Sequence, residues 1–178
     1  MKNTMQSYLR GAAFILAASL AGTAIAAEST DNSKLAHHDR SFIEKAAKGG
    51  MKEVAVSQAV MGNLTNPSVR DFATTMVTDH TAADAELSKL AMAKGVALNA
   101  EHNDKMTAKL NEKWSAKDGN VDKKYIKEMV EDHEDAVKLF TKATKSDDAD
   151  IAAFAQKTLP TLQHHLMMAQ DLKKTLSM

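Results

Sequence analysis

The phrase Met76-Val77-Thr78-Asp79-His80 returns almost unchanged as Met129-Val130-Glu131-Asp132-His133. Each copy lies in a stretch whose apolar residues recur at alternating intervals of three and four, the period of a helix face buried in a bundle. Around the first copy this seam reads Val69, Ala73, Met76, His80, Ala83, Leu87, Leu90; around the second it reads Ile126, Met129, His133, Ala136, Phe140, Ala143. Both histidines fall on otherwise apolar seams, where an imidazole is costly unless something satisfies it.

Two further seams carry the same anomaly. Glu53 is the only charged residue of the series Phe42, Ala46, Gly49, Glu53, Val56, Val60, and His165 is the only ionisable one of Ile151, Ala155, Thr158, Leu162, His165, Ala169, Leu172, Leu176. One carboxylate and three imidazoles are a donor set for a single divalent metal ion, and they suit zinc, iron, manganese or copper. Glu53, His80, His133 and His165 are therefore the candidate ligands. Asp79 and Asp132 are candidate acceptors for ring N–H groups, although neighbours in a helix do not share a face. Met76 and Met129, one turn before their histidines, would join only a copper(I) site, and they equally occupy ordinary core positions. The competing reading needs no metal: a buried Glu/His hydrogen-bond network that specifies which helices pair.

Four helices must position these groups. Ser41-Phe42-Ile43-Glu44 has capping-box spacing and predicts the first helix start at Ser41. Gly49-Gly50 inside that helix costs about 1 kcal/mol per glycine relative to alanine, and predicts a bulge or the close approach of another backbone. Asn66-Pro67 ends this segment and opens a second helix that runs to about Lys94, where Gly95 supplies a stop. Residues 95–120 form a long connection with a short amphipathic stretch (Met106, Leu110, Trp114) and a turn at Asp118-Gly119-Asn120. A third helix covers about Val121 to Lys145, Ser146 to Asp150 is a polar break with capping residues, and a fourth helix follows with Pro160 inside it. The reading is all-α: a four-helix bundle with a long connection, holding a short extra helix, between helices two and three.

Residues Met1 to Ala26 read as a secretory signal, with Lys2 and Arg10 in front of an apolar run and Ala24-Ile25-Ala26 as the cleavage site. The run is shorter than the roughly 20 residues of a membrane span, so no stable span is expected after its removal. Residues 27–38 read as a flexible leader, in which His37-His38 would be solvated, and 39–178 as the bundle domain. Export to a bacterial periplasm follows as the expectation. The chain has 23 basic and 23 acidic residues and no basic stripe with aromatic partners, which gives no argument for nucleic acid. It has no cysteine, so disulfides and thiolate chemistry are excluded. Protein partners and oligomeric state are not legible.

The ordered set Phe42-Ile43, Glu53, Phe72-Ala73, Met76-Val77 with Asp79-His80, Tyr125, Met129-Val130 with His133, Phe154-Ala155 and Leu159-Pro160 before His165 resembles the bacterial exported domain-of-unknown-function 4142 family, from about Asp39 to Leu176. The resemblance implies a ferritin-like up-and-down four-helix bundle and carries no settled activity. The di-iron pattern of ferritin-like proteins, a Glu three residues before a His, is absent, since Val77, Val130 and Leu162 stand at those positions. Dinuclear chemistry thus does not follow from the fold. The seams predict a closed core without a nucleophile constellation or phosphate loop, so no catalytic residue is assigned. The leading functional readings are a periplasmic bundle holding one divalent ion, and a non-catalytic structural or stress-related envelope protein whose buried network only specifies packing; an enzyme, using an imidazole beside a carboxylate for proton transfer or an open metal position to activate water, is the third and least favoured.

Overall fold

The structure, a computed structural model, describes residues 35–98, 109–110, 112–114 and 120–177. The expected signal segment, the expected leader up to residue 34, Met106 and the turn expected at Asp118-Gly119 lie outside the described residues. The helices are α1 (His37–Val60), α2 (Pro67–Ala93), α3 (Val121–Ala143) and α4 (Ala149–Ser177), with one 3-10 turn at Met61–Asn63. The expected bundle is present, and no helix among the described residues is long and apolar enough to cross a membrane.

Most helix ends are set where local chemistry puts them. The Asn66 side chain caps α2 by accepting from the Ser68 and Val69 N–H groups, with Pro67 in the first turn where no partner is lost. Gly95 closes α2 at φ 64°, the left-handed conformation that glycine adopts without penalty. Asn120 caps α3 through the Lys123 N–H, and Asp148 accepts from the N–H groups of Asp150 and Ile151 at the start of α4.

The start of α1 differs from the expectation at Ser41. The helix begins at His37, without a side-chain cap, so His37 and His38 belong to its first turn and not to a leader. A tertiary contact explains the extra turn: Asp39 is buried and accepts from the Ser146 hydroxyl at 2.7 Å, in the α3–α4 turn. A carboxylate in a first turn is favoured by the helix dipole as well.

The direction of α3 also differs from simple up-and-down order. Asp122 at the start of α3 accepts from the Thr65 and Asn66 N–H groups, so this end lies beside the α1–α2 turn. Lys94 at the end of α2 pairs with Asp148 and Asp150 at 2.7 Å, so that end lies beside the start of α4. The connection between α2 and α3 therefore joins opposite ends of the bundle, and α2 and α3 run the same way. One long crossover is the ferritin-like arrangement. Trp114, near the end of this connection, is fully buried against Tyr125, and its carbonyl accepts from the Asn63 side chain at 2.8 Å.

The core is two apolar clusters with a polar layer between them. One cluster holds Val56, Phe72, Met76, Tyr125 and Met129, and the other holds Ile43, Leu87, Phe140, Ile151 and Leu162. On every helix the residue between its two contributions is polar: Glu53, His80, His133 and His165, all buried. Burial on both sides of this layer fixes its level, because each seam continues for at least a turn above and below it. Pro160 leaves α4 continuous; it lacks the N–H that would bond the Gln156 carbonyl, one turn and more before His165.

Candidate metal centre

The four polar seam residues converge. The rings of His80, His133 and His165 stand with centroids 5.4 to 5.5 Å apart in all three pairings. One ligating nitrogen of each ring lies within 4.8 Å of the others. All three side chains are at most 6 % exposed.

Each ring has one nitrogen against a protein oxygen. His80 Nδ1 lies 3.1 Å from Glu53 Oε2. His133 Nδ1 donates to the Met129 carbonyl at 2.9 Å and lies 3.3 Å from Glu53 Oε1. His165 Nε2 donates to Asp79 Oδ2 at 2.9 Å. The other nitrogen of each ring, His80 Nε2, His133 Nε2 and His165 Nδ1, is buried without a partner. A ring held by one nitrogen and free at the other is how proteins present imidazole to a metal, since the outer bond fixes tautomer and orientation.

Glu53 takes a place other than the one its seam position predicts. Its carboxyl stands behind two rings, against their Nδ1 atoms, because those atoms, not the free ones, turn toward α1. Asp79 reaches a histidine on α4, not its neighbour His80. Asp132 stands apart from the rings and holds Lys52 at 2.7 and 2.9 Å, which ties α3 to α1. The Met76 and Met129 side chains belong to the apolar cluster beside the layer. The Met129 carbonyl as a ring acceptor was not foreseen; its signal was the four-residue spacing to His133, across which a helical side chain reaches back to a carbonyl.

Electrostatics follow burial. Desolvation, joined by the Asp132 and Asp84 charges against that of Lys52, pushes the Glu53 carboxyl up to about 8. Desolvation, then repulsion by the other two rings, brings His80 down to about 3, and the same causes from His165 bring His133 to about 4. His165 is also lowered by burial, with Asp79 opposing. The trio is therefore neutral at pH 7, as metal ligands must be.

The core is not closed, contrary to the expectation from the seams. A cavity of about 330 Å³ reaches Glu53, His80 and His165 from the solvent side, between apolar walls that include Leu87, Phe140 and Phe154. The gap arises because Gly49, Gly50 and Ala83 leave little side chain where α1 and α2 meet. Periodicity alone does not register such a deficit of volume.

Fold and site together define a four-helix bundle with a buried trihistidine layer. Sequence comparison matches residues 24–172 to the domain of unknown function DUF4142, and the chain belongs to that family. Among curated proteins none matches the sequence. Among solved structures, the crystal structure of a DUF305 fragment from Deinococcus radiodurans is similar, with a TM-score of 0.67 at 8 % identity, over 79 % of this chain and 97 % of that one. At that identity the likeness is one of fold.

Proposed function

We propose that the protein is exported to the periplasm by its N-terminal signal and holds one divalent transition-metal ion on His80, His133 and His165. The observation that carries this reading is a cluster of three buried imidazoles, each offering a ligating nitrogen within 4.8 Å of the others and each keeping one buried ring nitrogen without a hydrogen-bond partner. A network that served packing alone would leave each of them unsatisfied, at about 1–3 kcal/mol apiece, a large sum against the 5–15 kcal/mol stability of a typical domain. A single ion gives all three a partner. Glu53, Asp79 and the Met129 carbonyl hold the rings from behind and are not counted as ligands. Three imidazoles suit zinc or copper(II) best, and iron or manganese less well.

The test is to purify the protein from periplasm without chelators, measure its N-terminus and metal content, and compare a His80→Ala/His133→Ala variant. A chain starting near Ala27 with near-stoichiometric metal, lost in the variant, is expected. A folded wild-type protein that takes up no metal from any of these ions would leave the packing network as the role of the layer.

A further inference from the structure

The cavity that reaches the imidazoles has a chemical bias of its own. Five carboxylates line it: Glu53, Asp79, Asp84, Asp132 and Asp135. Four are engaged. Glu53 faces two rings, Asp79 holds His165, Asp132 holds Lys52, and Asp135 pairs with Lys138 at 3.1 Å. Asp84, half-buried, has no hydrogen bond or ion pair among the described residues. Of the two lysines on the wall, Lys52 is already bound to Asp132 and Glu128, and Lys45 stands on the exposed rim.

The inner end of the cavity is equally short of donors. His80 Nε2 and His165 Nδ1 are buried, unpartnered nitrogens on residues that line it, and Glu53 Oε1 faces His133 Nδ1 at 3.3 Å without a hydrogen bond. Glu53 is only 4 % and His80 only 5 % exposed. A cavity lined by an unpaired carboxylate and by two imidazoles that each keep a free nitrogen is built for a cation.

Gly50 makes room for this carboxylate. A Cβ at Gly50 would collide with Asp84 Oδ1 and lie 2.9 Å from its carboxyl carbon, so only glycine lets the Asp84 head group rest against the α1 backbone. The close approach expected at the Gly49-Gly50 pair is thus made by a side chain, and by one that lies a single turn beyond His80 on α2. α1 gives up about 1 kcal/mol of helix propensity there to seat a carboxyl group that no described residue pairs with.

We propose that Asp84 is an outer cation station, at which an incoming transition-metal dication is held before it passes along the cavity to His80 and His165. This deepens the metal-binding reading of the trio and rests on it. The carboxylate attracts the hydrated ion and exchanges part of its water shell, and the imidazoles, which are the stronger donors for such ions, then take it.

Stopped-flow uptake of cobalt(II), followed by its visible absorption, tests the station on full-length mature protein. Wild type, Asp84→Asn and Gly50→Ala are compared at pH 8, where the Asp84 carboxyl, raised by burial to about 7, is mostly ionised, with Asp147→Asn, an exposed control of similar charge change. Circular dichroism checks that each variant is folded. The expected result is one cobalt per chain in all four, affinity within about threefold, and loading about tenfold slower in Asp84→Asn, as for the loss of a steering charge. Gly50→Ala shifts the same way and Asp147→Asn loads like wild type. Cobalt loading of Asp84→Asn at the wild-type rate overturns the station and leaves the trio standing. A folded Asp84→Asn that binds no cobalt also overturns it, since Asp84 would then be a ligand. A folded wild type that takes no cobalt removes both proposals.

Discussion

Asp79 Oδ2 accepts from His165 Nε2 at 2.9 Å, across the interface between α2 and α4 and 86 positions along the chain. Asp79 is the sequence neighbour of His80, yet it serves a ring on another helix. The two side chains leave α2 about 100° apart, so when His80 points to the bundle axis Asp79 points to the groove beside α4. The repeated phrase is therefore not repeated in role: the first copy sends its aspartate to a histidine, and the second sends Asp132 to Lys52.

Asp79→Asn keeps the shape of this contact and removes its charge. The fold should survive, because Asp79 is 40 % exposed and the pair is small beside the apolar clusters. Metal affinity is expected to fall by about 10- to 100-fold, the usual cost of losing an acceptor behind a ligating imidazole. Competitive titration with a chromophoric chelator reads this directly, and an unchanged affinity would separate Asp79 from the metal site.

Metal binding should release a proton from behind the rings. With its pKa raised to about 8, Glu53 is largely protonated at pH 7, and a cation lodged on His80 and His133 drives that proton off. Calorimetric titration in buffers of different ionisation heat should give about one proton released per ion at pH 7. In Glu53→Gln the release should vanish, with weaker binding. Equal proton release in the two proteins would show that the proton comes from elsewhere.

The metal-free protein should be most stable between about pH 4.5 and 6.5. His80 and His133, at about 3 and 4 against 6.5 in the unfolded chain, lose stability as pH falls below 6.5, because the unfolded state binds more protons there. Glu53, at about 8 against 4.5, and Asp84, at about 7 against 3.8, act in the opposite sense: the folded state binds more protons, so stability falls as pH rises through those intervals. Within the window the two carboxyls largely offset His80 and His133, and His165, also lowered by burial, adds a shallow rise toward pH 6.5. Below it the histidines act without Glu53, and above it the carboxyls act alone. Melting temperatures from pH 3.5 to 9 should form a plateau with two falling limbs, and Glu53→Gln should flatten the alkaline one. A steady rise from pH 5 to 9 would contradict these assignments.

The seams were legible because a helix's buried face is written in its own few turns. Val69, Ala73, Met76, His80 and Leu87 are buried as their spacing requires, and Ile126, Met129, His133, Phe140 and Ala143 likewise. Their mid-seam positions made a meeting of Glu53, His80 and His133 an expectation; that His165 joins them was less legible, since it lies deeper in a helix that contains Pro160. What was not legible depends on distant partners. The first turn of α1 forms because Asp39 meets Ser146, 107 positions away. The direction of α3 depends on Asp122 meeting Thr65 and Asn66. Whether Glu53 faces the free or the held ring nitrogens is a matter of side-chain rotation, and periodicity gives none of that.

Met76 and Met129 separate two chemistries for the layer. They precede His80 and His133 by one turn and are fully buried among Phe72, Tyr125, Ile126 and other apolar side chains. If they are core, Met76→Leu and Met129→Leu conserve volume and polarity and should each cost less than about 1.5 kcal/mol. Binding of zinc or cobalt(II) should be unchanged, because the imidazoles alone supply the donors. Copper(I) affinity, measured against a chromophoric chelator, should also be unchanged. A large loss for copper(I) alone, with the zinc affinity intact, would instead place a thioether in the site, since only the softer ion gains from sulfur.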